Sequence, residues 1–134
     1  MAGVERRIAE AEAALATLDE VVDRAERSLV ERDSAILRLI YSFEAVWKAC
    51  QQLLREREDI EVASPNTAIR AARRLGWLSD ADAQAAMAVG RDRNLAVHMY
   101  RGEIGAEIAA HLAAHAQLLR RWLAALQRRA TAVD

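Results

Sequence analysis

Residues 4–29 read VERRIAEAEAALATLDEVVDRAERSL, an unbroken helical pattern that points to an all-α fold. The apolar residues recur at alternating steps of four and three, the heptad spacing that keeps one stripe of a helix against a partner helix. Because the stripe would next reach Asp33, with Ser34 beside it as an N-cap, we predict a helix break near residues 30–33. The stripe consists of Val4, Ile8, Ala11, Leu15, Leu18, Val22, Ala25 and Leu29.

A second and wider apolar stripe follows, and its width predicts a more central helix that contacts neighbours on two sides. The stripe fades in the charged run 55–59, and residues 58–64 form the longest predicted loop. Its members are Ile36, Ile40, Phe43, Trp47, Cys50 and Leu54, flanked by Leu39, Val46 and Leu53.

Start and stop signals place three further helices. Ser64 followed by Pro65 predicts a helix start, because Ser caps free N–H groups and Pro lacks an N–H that would be unpaired there anyway. Gly76 ends this helix, and Ser79 caps the next one. A last helix is predicted over about residues 104–129.

The composition supports an all-α protein. Apolar residues make up 53% of the chain, most of them the strong helix formers Ala and Leu, and there is one Pro. At 134 residues we expect a single domain over 1–134, folded as an antiparallel helical bundle of four to five helices. Trp47, Trp77 and Trp122 are expected in the core or as dimer anchors.

Charge and hydropathy exclude several classes of protein. The net charge of −1 gives no overall nucleic-acid footprint, so any basic surface must be local. The lone Cys50 excludes a disulfide framework within the chain and is expected to be a small buried hydrophobe. The N-terminus enters a charged helix directly, and no stretch approaches the roughly 20 apolar residues of a membrane span. We therefore expect a cytoplasmic protein without a signal peptide or membrane contact.

Ionisable groups cluster in residues 91–100, RDRNLAVHMY. Arg93 carries a planar, permanently charged fork that suits a phosphate, and His98 can give or take a proton near neutral pH. Together they form a minimal set for cleaving RNA without a metal. The imidazole would deprotonate the ribose 2′-OH or protonate the leaving oxygen, and the guanidinium would stabilise charge on the phosphate. The phenol of Tyr100 would position a base or phosphate, or accept a covalent group.

The spacing of Arg93 and His98 constrains this interpretation. Five residues along a regular helix separate them by roughly 140° and about 7.5 Å of rise, so they do not share a face. Either the helix loosens, or the Arg reaches across, or a two-fold dimer brings two copies into one cleft. Because cleavage uses both an acid and a base, and one chain supplies one such His, we favour the dimer. A structural interpretation stays open, with Arg93 paired to Asp80 or Glu103 and His98 at an interface.

Three stretches resemble the HEPN family in its HepT-type and nucleotidyltransferase-substrate-binding branch, and they follow one another along the chain in the order typical of that branch. Residues 92–100 are similar to its R-x-x-x-x-H-x-Y motif. Residues 41–48, YSFEAVWK, resemble its F-E-x-x-W-K helix. Residues 64–78 resemble its S-P-x-x-x-I-R-x-A … G-L-I segment, with Trp77 and Leu78 in place of a smaller apolar pair.

The resemblance implies a dimeric helical bundle encoded beside a minimal nucleotidyltransferase. It implies the toxin of a toxin–antitoxin pair, a metal-independent endoribonuclease without cofactors, whose catalytic residues are Arg93 and His98. The partner nucleotidyltransferase would silence it by transferring AMP to Tyr100, while Asn94 and Asp92 would support the motif. The alternative is a non-catalytic substrate-binding subunit of a two-component nucleotidyltransferase.

Two further sets of polar residues have less specific interpretations. His111 and His115 are four apart, a spacing that can present two imidazoles to one metal. Because nothing nearby supplies a third ligand of the right sort, we expect structural or interface histidines and no metal. Glu44 is interpreted as a salt-bridging carboxylate on a helix flank; the alternative is a buried acid that orients Arg93.

Basic residues near the motif are candidate contacts for RNA or phosphate. They are Lys48, Arg91 and Arg101, with the arginines at 70, 73 and 74 as a further group. A solvated helix face explains most of them as easily.

Overall fold

The computed structural model describes residues 3–24, 27–99 and 102–132, and every regular element in these ranges is an α-helix. The prediction of an all-α helical bundle is confirmed. Tyr100 and Arg101 lie outside the described residues. The helices are α1 (Gly3–Val22), α2 (Leu29–Glu58), α3 (Pro65–Arg74), α4 (Asp80–Met99), α5 (Glu103–Ala110) and α6 (Leu112–Thr131).

α1 ends at Val22 and α2 begins at Leu29, so the break between them comes earlier than residues 30–33, where the sequence pattern predicts it. Ser28 caps α2: its Oγ accepts the backbone N–H of Glu31 at 3.1 Å, and Glu31 Oε1 accepts the N–H of Ser28 at 3.1 Å. This reciprocal capping box satisfies two N–H groups at the helix start. Asp33 and Ser34 therefore lie within α2, and Leu29 is 69% exposed instead of packed.

The central position predicted for the second helix is confirmed, because α2 contacts all five other helices while α1 packs on α2 and α6. In the core, the rings of Phe43 and Trp122 meet edge to face with centroids 6.4 Å apart. Trp47 and Trp77 are also buried, as is Cys50. Among the described residues, no helix is both long and apolar enough to cross a bilayer.

The caps of α3 and α4 follow the predicted signals. The Oγ of Ser64 accepts the N–H of Thr67 at 3.2 Å, and the Oγ of Ser79 accepts the N–H of Asp82 at 3.1 Å. After α3 the chain turns at Gly76 with φ of +77°, a conformation that Gly adopts without steric cost.

The single helix predicted over residues 104–129 is divided into α5 and α6 at His111. The N–H of His111 bonds to the carbonyl of Ile108 at 3.0 Å, which tightens the last turn of α5, and the carbonyl of His111 then accepts the N–H of His115 at 3.0 Å in α6. Neither Gly nor Pro occurs at this position, so the sequence carries no signal for the break.

Candidate functional site

Arg93 lies in the last part of α4, and its guanidinium is held against α2. Nη2 donates to Glu44 Oε1 at 2.7 Å, and Nη1 donates to Asn94 Oδ1 at 3.1 Å. The guanidinium also lies over the ring of Phe43, 5.5 Å from its centroid, where the ring face attracts a cation. Three neighbours therefore fix the direction of this side chain.

Glu44 links Arg93 to a buried aromatic residue. Its Oε2 accepts the indole N–H of Trp47 at 3.1 Å, while its Oε1 pairs with Arg93. The Glu44 side chain is 33% exposed, so it is both a helix-flank carboxylate and the acid that orients Arg93. The pairing of Arg93 with Asp80 or Glu103, left open by the sequence, is not the observed one.

A cleft of about 220 Å³ opens beside Arg93. One side of it is the start of α3, at the positive end of the helix dipole. Pro65 has no N–H and the Thr67 N–H bonds to Ser64 Oγ, so Asn66 carries the backbone N–H that this turn offers to a ligand. A helix N-terminus and a guanidinium on the same cleft suit an anion such as a phosphate. The remaining walls come from α2 and α4. The lining residues are Phe43, Ser64, Pro65, Asn66, Gly90, Arg93 and Asn94.

His98 is exposed, one turn further along α4. It lines a shallow groove of about 350 Å³ together with Arg91, Asn94 and Leu95. Arg93 and His98 therefore face two neighbouring depressions, with Asn94 in the wall of both.

The structure decides between the geometric alternatives for a single chain. α4 is continuous from Asp80 to Met99, so the helix does not loosen between Arg93 and His98. The guanidinium of Arg93 is engaged by Glu44 and does not reach across to His98. In this structure a single chain therefore does not bring Arg93 and His98 together.

Asp92, predicted as a supporting residue, is buried and bonded to both histidines of the last helical region. Its Oδ2 lies 2.8 Å from Nδ1 of His111 and 2.7 Å from Nε2 of His115. The expectation that no third metal ligand lies near the two histidines was wrong, because α4 places Asp92 there. Burial lowers the pKa of the His115 imidazole below its usual value, although the Asp92 carboxylate opposes this shift.

The candidate basic contacts are dispersed. Arg91 is exposed in the groove beside His98, and Lys48 is half-buried on α2. Arg73 is exposed and forms an ion pair with Asp80 at 3.3 Å. Arg101 and Tyr100, the predicted AMP acceptor, fall outside the described residues.

Within the described ranges, helices packed around a central α2, with an Arg-Asn…His motif at the end of α4, define a domain of the all-α helical-bundle class. The chain belongs to the family described as nucleotidyltransferase substrate binding protein like, whose model matches residues 6–128. The resemblance noted in the sequence is thereby confirmed. No curated protein matches the chain.

Solved structures share this fold over nearly the whole chain. A protein from Thermus thermophilus is 46% identical with a TM-score of 0.84, over 88% of this chain and 99% of that one. The Shewanella oneidensis HEPN toxin, tri-AMPylated and in complex with MNT antitoxin, is 17% identical with a TM-score of 0.77, over 95% and 98% of the two chains. A toxin–antitoxin structure with AMP-PNP matches at 17% identity and a TM-score of 0.77, over 94% and 99%.

Proposed function

We propose that this chain is the toxin of a toxin–antitoxin pair and acts in the cytoplasm as a metal-independent endoribonuclease. The observation that carries the proposal is the position of Arg93, whose guanidinium is fixed by Glu44 at the edge of a cleft that faces the N-terminus of α3. Negative charge develops on the phosphodiester in the transition state of cleavage. Hydrogen-bond donors that are already in place there lower the activation free energy, because they do not have to reorganise during the reaction.

His98 supplies the proton transfers in this proposal. One imidazole takes the proton of a ribose 2′-OH, whose oxygen attacks the adjacent phosphorus, and a second imidazole protonates the 5′-oxygen that leaves. The products are a 2′,3′-cyclic phosphate and a free 5′-hydroxyl. Arg93 stabilises the negative charge on the phosphate oxygens, and Asn94 lies in the wall of both depressions, between the two catalytic groups.

The proposal includes a homodimer, because one chain holds Arg93 and His98 on different faces of a continuous helix. An isologous two-fold interface brings the same stretch of both copies together. Leu95 and Val97 are 41% and 59% exposed beside the motif and provide apolar surface for the second copy.

Silencing by a minimal nucleotidyltransferase completes the proposal. The phenol oxygen of Tyr100 attacks the α-phosphorus of ATP, pyrophosphate leaves, and AMP stays on the tyrosine. The bulk and the negative phosphate that AMP adds to the motif would compete with RNA for the site. Support comes from the Shewanella oneidensis HEPN toxin of the same fold, which is tri-AMPylated in complex with MNT antitoxin.

RNA cleavage in EDTA by the purified chain tests the catalytic part. Arg93→Ala and His98→Ala are expected to lower the rate at least about a hundredfold, the scale of a lost acid–base group or transition-state donor. Arg128→Ala, which removes an exposed arginine of α6, is the matched control and should cleave like the wild type. Equal cleavage by all four proteins would contradict the assignment of the catalytic pair.

A non-catalytic substrate-binding subunit is the second candidate, favoured by the description of the family. In that case the wild type does not cleave RNA, but it still binds a partner nucleotidyltransferase. Co-expression with that partner, followed by intact-mass measurement, tests the acceptor: an AMP adduct on the wild type should be absent from Tyr100→Phe. An adduct that persists in Tyr100→Phe would place AMP on another residue.

A further inference from the structure

A second polar cluster, which takes no part in the proposed reaction, includes Asp92, the residue directly before Arg93. Asp92 of α4, His111 between α5 and α6, and His115 of α6 bring one potential ligand atom each within 4.8 Å of one another. The two imidazole rings meet edge to face, inclined by 62° with centroids 5.6 Å apart. Both face the same carboxylate oxygen of Asp92.

We propose that Asp92, His111 and His115 bind a divalent transition-metal ion, and the donor set favours Zn²⁺. Two imidazoles and one carboxylate are borderline ligands of the kind that zinc takes, and three protein ligands leave a fourth position for water. The i,i+4 spacing places both histidines on one side of the helix, and the buried Asp92 supplies the negative charge.

The distances are close to those that an ion requires. Zinc lies about 2.0–2.2 Å from nitrogen and oxygen ligands, which in a tetrahedron separates the ligand atoms by roughly 3.4 Å. The carboxylate oxygen now lies 2.7 Å and 2.8 Å from the two nitrogens, so the site has to open by roughly 0.6 Å. The His111 side chain is 47% exposed and can make this movement, whereas that of His115 is held in the core at 9%. The same exposure gives the ion an entry path.

Two hydrogen bonds to Asp92, without an ion, would also explain why the two histidines lie beside this carboxylate. The ring protons of the histidines would then be on different nitrogens from those in the zinc-bound state. In that case Nδ1 of His111 and Nε2 of His115 carry protons and donate them to Asp92. A bound ion needs lone pairs on these two nitrogens, so the protons move to Nε2 of His111 and Nδ1 of His115. The two states therefore differ in the tautomer of each histidine, which nitrogen chemical shifts report.

The ion would fasten the end of α4 to the junction between α5 and α6. Its position is separate from the proposed phosphate site, because the Arg93 side chain contacts α2 while the Asp92 side chain contacts α6. We therefore assign the ion a structural role: zinc raises the melting temperature of the chain, and the proposed cleavage chemistry stays independent of it.

Zinc binding is measured on the tag-free chain after removal of metal with EDTA and dialysis. Titration with ZnCl₂ by calorimetry should give one ion per chain, and titration with CoCl₂ should give the intense visible absorption of tetrahedral Co²⁺. His111→Ala should weaken binding by more than the about 10–100-fold that loss of an outer-shell partner causes. Because His111 is half exposed, this variant keeps the fold, as circular dichroism will verify. His98→Ala, which removes the third histidine of the chain, is the matched control and should bind like the wild type.

Two results would overturn the proposal. One is wild-type affinity for zinc no greater than that of His111→Ala. The other is nitrogen chemical shifts showing that His111 Nδ1 and His115 Nε2 stay protonated at saturating zinc. Both measurements are made without RNA, so the fate of the nuclease proposal does not affect their outcome.

Discussion

Replacing Glu44 with Gln tests what holds Arg93 in place. Gln keeps the shape of the side chain and an oxygen for the Trp47 indole, and it removes the charge that lies 2.7 Å from Arg93 Nη2. Hydrogen bonds to charged groups contribute about 1.5–3 kcal/mol, and fully exposed ion pairs about 0–1 kcal/mol. Because the two side chains are 33% and 23% exposed, we expect Glu44→Gln to lower the free energy of unfolding by about 1 kcal/mol.

The same change should lower the rate of RNA cleavage. Without the carboxylate, the Arg93 guanidinium samples other directions. We expect it to lose about as much free energy of transition-state stabilisation as the fold loses in stability, about 1 kcal/mol. A loss of about 1.4 kcal/mol corresponds to tenfold in rate, so kcat should fall roughly five- to tenfold. RNA binding should not weaken, because a negative charge beside the phosphate cleft has been removed.

Urea denaturation and single-turnover cleavage measure the two effects. A double-mutant cycle with Arg93→Gln should give a coupling free energy of about 1 kcal/mol, which separates the ion pair from the other consequences of each change. Glu56→Gln, an exposed carboxylate on the same helix, is the matched control. If Glu44→Gln and Glu56→Gln have equal stability and equal kcat, Glu44 does not hold Arg93 and the positioning of the guanidinium has another cause.

Further predictions concern the fold around the site. Burial raises the pKa of the Cys50 thiol to about 12. A thiol reagent at mildly alkaline pH should therefore modify the unfolded chain and not the native one. Rapid modification of the native chain would contradict the observed packing around Cys50. Ser28→Ala should lower the free energy of unfolding by about 1 kcal/mol through loss of the α2 cap, and an unchanged melting temperature would count against the cap. Hydrogen bonds from Ser28 lower the pKa of Glu31 below its usual 4.5, so the native carboxylate binds fewer protons than the unfolded one. The stability that Glu31 contributes is present above pH 4.5 and is lost as the pH falls below it, and Glu31→Gln should abolish this part of the acid sensitivity in denaturation curves. Gly90→Ala places a Cβ 3.4 Å from Phe43, an acceptable contact, and should stabilise α4 by up to about 1 kcal/mol; a lower melting temperature would show that Phe43 cannot adjust.

The helices were predictable where the signal is local. Ser64 with Pro65, and Ser79 with its acidic first turn, define helix starts through bonds within three residues, and both were located correctly. The start of α2 was missed because two caps compete there. The heptad pattern continues up to Leu29 and favours the later cap, whereas the capping box formed by Ser28 and Glu31 decides the structure.

The contacts of the candidate site were not predictable in the same way. A motif can mark Arg93 as a candidate, but the carboxylate that orients it lies on another helix, and only the packing of α4 on α2 brings the two together. The same holds for Asp92: the spacing of His111 and His115 was visible, whereas the third member comes from α4. Periodicity gives the buried face of each helix and not the neighbour that the face meets.

The continuity of α4 leads to a last prediction, which concerns how two copies share one site. If one cleft uses the His98 imidazoles of both copies, one as base and one as acid, a heterodimer of wild type with His98→Ala lacks one of the two and should be inactive. Equal mixing of the two proteins gives about a quarter wild-type homodimers, so cleavage should fall to about a quarter of that of the same total amount of wild type. Mixing wild type with Arg128→Ala is the matched control and should lose no activity. Should the first mixture keep half of the cleavage after subunit exchange has been verified by mass, the two imidazoles do not act across the interface. Each copy would then have to bring its own Arg93 and His98 together, and α4 would have to unwind when RNA binds, since in its present form the helix keeps the guanidinium and the imidazole on different faces.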